Sequence, residues 1–296
     1  MSSDFSPEVR NSAWWSGDSR KAANGKANEV ILTKLGFLEI PDLSGIEAVQ
    51  MGHVMEPVIL ELAAQKLGTE VKKIDHGMAH PKELWLKSHF DGVTSINELV
   101  EAKNYNASVR NKFDADTGRM PAADMAQCIH EATVFGTDTV YLAVLFGGQE
   151  FVMIKVEVTD QMKEDFIKQM SVYWAHVVSK TPLPPETVEQ ARLLYPVSQK
   201  AVKAASSALE QACGRLKEIK QGIKSLEEQE DLLQTQIMSN MGEADTLVSV
   251  EGQALVTWKT AAGTKRFDSK LFQSTMPDIY NKFMYEAPGS RRFLVK

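Results

Sequence analysis

The chain has 296 residues, 43% of them apolar and 24% charged, with a formal net charge of −6. That composition excludes a disordered chain and is enough for one large domain, or one domain and a smaller one. The mild acidity argues against a protein coated in nucleic acid but is compatible with a local basic channel, because binding follows the distribution of charge.

No apolar run approaches the roughly 18 residues of a membrane span, and MSSDFSPEVR lacks the apolar core of a secretory signal. Cys128 and Cys213 stand in no metal-like spacing. The expectation is a cytoplasmic protein in a reducing compartment, with no membrane, disulfide framework or zinc site.

Residues 8–40 read as helical with loops, and AWWSGDSRKAANGKANEVILTKLG sets Trp14 and Trp15 among basic residues. Residues 46–67 read as a helix: Val49, Val54, Val58, Leu62 and Ala63 mark an apolar stripe, and Gly68 follows as a stop signal. VKKID, LWLKSHFDGV and INELVEAK read as short strands separated by Gly, Asn and Ser. MPAADMAQCIHEATVFG reads as a helix with Pro121 in its first turn and Gly136 past its end. DTVYLAVLFGGQEFVMIKVEV reads as two strands joined by Gly147 and Gly148, followed by a helix from about Asp160 to Lys180. Helix, three strands, helix, two strands, helix is the order of a mixed α/β domain.

TPLPPET (181–187) reads as a boundary. Beyond it Val202, Leu209, Leu216, Ile223 and Ile237 share one heptad position, with Glu230 breaking the row. Ala205, Ala212, Ile219, Leu226 and Leu233 share the other. This predicts a long helix in a coiled coil or a helical hairpin, with Gly214 and Gly222 marking a bend. A hairpin turning at Gly252, a short helix over about 268–284 and a final strand, RRFLVK, are expected after it. From Lys259 to Lys296 eight Lys or Arg stand against three acids. The predicted domains are 1–185, 186–243 and 244–296.

The chemistry concentrates in HFDGVTSINELVEAKNYN, residues 89–106. Glu101 and Lys103 are two apart on a strand and so face the same side. If Asp91 ends the adjacent strand, all three surround one point. Converging carboxylates repel, and a hard divalent cation removes that repulsion while acidifying a water it binds. A lysine there stabilises developing charge. These are the parts for hydrolysing a phosphodiester; an ordinary hairpin with solvated end charges is the competing reading.

The pattern Asp-X9-Glu-X-Lys follows a helix carrying Gly52 and Glu56 and precedes a helix carrying Gln127. It resembles the PD-(D/E)XK nuclease superfamily, and within it the phage lambda exonuclease and YqaJ-like viral recombinase family. The resemblance covers about residues 10–180 and implies a restriction-endonuclease-like core, a mixed central sheet flanked by helices. It implies that Asp91, Glu101, the backbone carbonyl of Ala102 and Glu56 bind Mg2+ (or Mn2+), as two ions. Lys103 would be the catalytic lysine, and Gln127 would support the site or the attacking water. His130, one turn further along, reads as a buried or DNA-facing histidine.

Ser19, with Arg10 or Arg20, is the candidate for gripping a 5′-phosphate. The match to the family is poor there, which leaves the need for a 5′-phosphate open. Trp14 and Trp15 suit base stacking or core packing. Arg110, Lys112 and Arg119 lie where a loop could contact the DNA backbone, and a solvated surface is the alternative.

The family further implies a 5′→3′ exonuclease on linear double-stranded DNA, encoded by a phage or prophage. It would leave 3′ overhangs for a single-strand annealing protein and form a ring-shaped homotrimer around DNA. A RecB-type nuclease with an iron–sulfur cluster needs four cysteine ligands, more than this chain offers. A non-catalytic DNA-end binding module, with the heptad helix as its working part, is the alternative from another class.

Overall fold

A computed structural model of the chain describes residues 6–74, 76–286 and 289–296. By its internal contacts the chain divides into two compact units, Met1–Leu194 and Tyr195–Lys296.

The first unit opens with α1 (Pro7–Asn11), a two-residue strand β1 (Trp14–Trp15), α2 (Ser16–Lys21) and α3 (Ala27–Lys34). Between α2 and α3 the backbone turns at Gly25, whose φ of 75° suits a residue without Cβ. The long α4 (Glu47–Leu67) ends at Gly68 in the left-handed conformation. Strands β2 (Val71–Lys73), β3 (Met78–Ala79), β4 (Leu86–Ser88), β5 (Gly92–Thr94) and β6 (Leu99–Tyr105) follow. Next come α5 (Ala122–Phe135), β7 (Thr139–Phe146), β8 (Glu150–Glu157), α6 (Asp160–Val178) and α7 (Val188–Leu194).

The main sheet has the order β2-β5-β6-β7-β8. Only β6 and β7 run parallel, from Leu99 opposite Val140 to Tyr105 opposite Phe146. A parallel neighbour needs a crossover, and α5 lies in that connection. Alternation then sorts the side chains. Val100, Ala143 and Leu145 pack on Ile59, Leu60 and Ala63 of α4. Leu99, Leu142 and Val144 join Cys128 and Ala132 of α5 and Phe166 of α6 in the larger core. Both faces of β7 are covered, which is why it is continuously apolar from Val140 to Phe146. The molecule is thus the mixed α/β architecture expected, a mixed sheet flanked by helices.

One expected strand is two. Leu86–Ser88 belongs to a separate three-stranded sheet, β1-β4-β3, parallel to β1 and antiparallel to β3, whereas Gly92–Thr94 joins the main sheet. The chain changes sheets at residues 89–91, so Asp91 stands in the crossing and just ahead of β5. Gly92 permits the crossing: a Cβ there would lie 2.7 Å from Val71 Cγ1 and 3.0 Å from Leu60 Cδ2. Pro121 is the N-cap of α5 and lies outside its first turn.

In the second unit α8 (Ser207–Met241) is one continuous helix through Gly214 and Gly222, so neither the bend nor a helical hairpin forms. Val202 and Ala205 precede its start. β9 (Thr246–Val248) and β10 (Ala254–Thr257) pair antiparallel, with Gly252 at φ 82° in their turn. The single expected helix near 268–284 is two, α9 (Ser269–Thr275) and α10 (Pro277–Lys282), because Pro277 starts a new helix. The final RRFLVK forms no strand: among the described residues no neighbouring strand offers it a ladder. Also among these residues, no helix is long and apolar enough to cross a membrane.

Candidate active site

β5 and β6 are antiparallel, with Gly92 opposite Val100. That register sets Asp91 beside Glu101, and the Asp91 Oδ2 accepts the Ala102 backbone N–H at 2.8 Å. Glu101 and Lys103 point to the α5 side of the sheet, the side of Leu99. The Lys103 ammonium is ion-paired with Glu101 Oε1. From α5, Gln127 Nε2 donates to the same oxygen at 2.6 Å and to Glu131 Oε1 at 2.9 Å. Glu101 is 3% exposed and Glu131 1%.

Burying acids this closely has an electrostatic consequence. Burial, and then the charge of Glu101, push Asp91 well above the ordinary aspartate range; Lys103 and the Ala102 N–H pull the other way. Burial, then Glu101 and Asp91, also raise Glu131 well above a free glutamate. Burial works against the Lys103 ammonium, but Glu101 and Asp91 outweigh it and hold the proton on.

This cluster forms the floor of a cleft of about 480 Å³. Glu56 of α4 lines it too, with its Oε1 held by Lys73 at 2.7 Å. Arg10, Trp15, Ser16 and Arg20 line it from the N-terminal segment. Arg20 is anchored by Asp124 at 3.1 Å and by the Tyr105 hydroxyl at 2.6 Å. Lys34 fixes the same segment from below, reaching Asp18 at 2.7 Å and the carbonyls of Arg10 and Ala13 at 3.0 and 2.6 Å.

The structure therefore gathers Asp91, Glu101, Ala102, Lys103, Gln127, Glu56, Arg10 and Arg20 around one cleft. It does not bring Ser19, His130, Trp14, Arg110, Lys112 or Arg119 there. Ser19 is 1% exposed. Its hydroxyl accepts the Trp14 indole N–H at 2.9 Å and meets His130 Nδ1 at 2.8 Å, so the hydroxyl is committed inside the core. Ser16, three residues earlier, is the serine on the cleft wall. His130 is fully buried, with Nε2 against the Lys87 carbonyl at 2.9 Å. Trp14 stacks on Tyr173, and Trp15 stacks on His89 with 4.9 Å between ring centres; both tryptophans are buried.

Arg110, Lys112 and Arg119 are outside the cleft lining. Arg110 donates to Glu150 at 2.6 Å and to the Phe113 carbonyl at 2.7 Å, and Arg119 to the Asn111 carbonyl at 3.1 Å, while Lys112 is exposed. Glu131 escaped the sequence reading. Its signal was the four-residue spacing from Gln127, which stacks two side chains on one helix face.

Among the described residues no group of three or more His, Cys, Asp or Glu side chains stands close enough to hold a metal ion. Two carboxylates do converge, each with one oxygen engaged: Asp91 Oδ2 by the Ala102 N–H, Glu101 Oε1 by Lys103 and Gln127. Asp91 Oδ1 and Glu101 Oε2 remain as hard donors. That set fits a Mg2+ ion bound through one or two carboxylates with water completing the shell.

Residues 18–139 match the family model of the YqaJ-like viral recombinase domain. The chain is 24% identical over 277 residues to the uncharacterized protein YqaJ of Bacillus subtilis (strain 168), covering 90% of this chain and 85% of that protein. Among solved structures it is similar to an alkaline exonuclease (LHK-Exo) from Laribacter hongkongensis, with 15% identity and a TM-score of 0.49, covering 58% of this chain and 91% of that one. It is also similar to a phage related exonuclease from Haemophilus somnus 129PT, with 11% identity and a TM-score of 0.41, covering 54% and 82%. The matched residues 18–139 hold Glu56, Asp91, Glu101, Lys103, Gln127 and Glu131, so the cleft carboxylates, lysine and glutamine all lie in the part of the chain similar to the YqaJ-like viral recombinase domain.

Proposed function

We propose that the first unit is a Mg2+-dependent 5′→3′ exonuclease acting on the ends of linear double-stranded DNA. It releases 5′-mononucleotides and leaves a 3′ single strand for a phage annealing protein. The observation that carries this reading is the convergence of Asp91, Glu101 and Lys103 on one cleft floor, with the cationic Arg10 and Arg20 on its wall. Polarity and a ring-shaped homotrimer around the duplex follow the family that the motif resembles.

In this reading the scissile phosphate lies over Lys103. The ammonium, kept protonated by Glu101 and Asp91, stabilises the charge that grows on the phosphoryl oxygens. Asp91 and Glu101 are the residues that would hold Mg2+, which when bound supplies charge neutralisation and activation of the attacking water. Gln127 fixes the Glu101 carboxylate, and Glu131 fixes Gln127 in turn. Arg10 and Arg20 grip backbone phosphate, which positions the duplex end without reading sequence.

Digestion of 5′-labelled and 3′-labelled linear duplex with Mg2+ tests the proposal. Mononucleotide carrying the 5′ label should appear first, and closed circular duplex should persist. Early release of the 3′ label removes the polarity; prompt loss of closed circles removes the exonuclease.

A further inference from the structure

The helix α8 has 35 residues and is capped by Ser206, whose side chain accepts the Leu209 N–H. It is about 52 Å long. A helix in water draws most of its stability from packing an amphipathic face. Here that face is open: Ile219, Ile223, Leu226 and Leu233 are 46% to 65% exposed. The seam follows the 3.5-residue repeat of a coiled coil. Leu209, Leu216, Ile223 and Ile237 occupy one core position, and Ala212, Ile219, Leu226 and Leu233 the other. Gly214 and Gly222 fall outside both.

Charge decides which partner and which direction fit. In a parallel, in-register pair, Glu230 would face Glu230 in the core, and Arg215 would flank Lys220. Both contacts are repulsive. In an antiparallel pair centred between Lys224 and Ser225, Ile223 faces Leu226 of the second copy, Leu216 faces Leu233 and Ala212 faces Ile237. Lys220 then flanks Glu227 of the second copy, twice by symmetry. Glu230 lies against Ile219, next to the Lys220 ammonium.

We infer that α8 is a self-association helix that pairs antiparallel with α8 of a second copy of this chain. A two-fold contact of this kind is self-complementary and closes.

The test is the mass of the full-length chain in solution, followed by sedimentation over a dilution series. Leu226→Asp places a charge in the central layer and should halve the associated mass, with unchanged far-UV circular dichroism. Lys220→Glu and Glu227→Lys, each alone, should weaken association about tenfold through two like-charge contacts. The double reversal Lys220→Glu, Glu227→Lys should restore it. In a parallel pair these two positions do not meet, so failure of the double reversal to restore association overturns the antiparallel arrangement. A wild-type chain with the mass of Leu226→Asp at every concentration overturns self-pairing and leaves the seam to a different protein. The charge-reversal set keeps the question answerable should Leu226→Asp disturb the helix.

Discussion

Lys103 is held between two acids whose charge outweighs its burial: the sheet hides its ammonium, and Glu101 and Asp91 keep the proton on it. Lys103→Ala should lower nucleotide release by about 100- to 10,000-fold while duplex binding stays within a few-fold. Nuclease assays beside a binding titration measure both, and full activity in the variant removes Lys103 from the chemistry. His130 gives a second residue-scale prediction. Burial pushes its imidazole down to about 3, against an ordinary 6.5, so the folded protein holds it neutral. The unfolded chain protonates it first as pH falls, so this contribution to stability is complete above 6.5 and is lost progressively between 6.5 and 3. The slope reaches at most about 1.4 kcal/mol per pH unit. Urea unfolding at pH 7 and pH 5 should show the loss in wild type and a shallower one in His130→Gln; equal slopes would refute it. The spacing of Asp91, Glu101 and Lys103 was legible because strand alternation is local. Ser19 was not: its hydroxyl goes to Trp14 and to His130, 111 residues away, and no local pattern reports that.

Elements were legible where their periodicity is long. The helix expected over 46–67 is Glu47–Leu67, and the strands around Gly147 and Gly148 are Thr139–Phe146 and Glu150–Glu157. The run LWLKSHFDGV was misread because nothing local in its sequence marks a change of sheet. Its cause is tertiary: Leu60 and Val71 close over Gly92. Gly92→Ala should therefore destabilise the fold by about 1–3 kcal/mol, since the Cβ meets a stiff β-branched side chain and a packed leucine. It should also depress cleavage at temperatures where the variant is folded, because β5 is what delivers Asp91 to Glu101. Chemical denaturation with a nuclease assay on the folded variant checks both effects. A variant as stable and as active as wild type would mean that β5 moves without cost.

At the scale of the molecule, composition allowed two bodies but could not say where one ends. Asn28 of α3 donates to the Pro184 carbonyl and to the Gln190 side chain, both at 3.0 Å, which ties α7 to the first unit. Every residue gathered at the cleft belongs to Met1–Leu194, and so does the core of both sheet faces. The heptad seam belongs wholly to Tyr195–Lys296. Chemistry and the α8 pairing thus reside in different units and should separate. A fragment of residues 1–194 should unfold cooperatively and keep releasing nucleotides from linear duplex in Mg2+, while losing the association that Leu226→Asp also removes. Thermal unfolding, end-labelled digestion and sedimentation of the fragment beside the full chain measure the three properties. A fragment that fails to fold would show that the second unit completes the core of the first. A fragment that folds but no longer cleaves would place part of the catalytic machinery beyond Leu194.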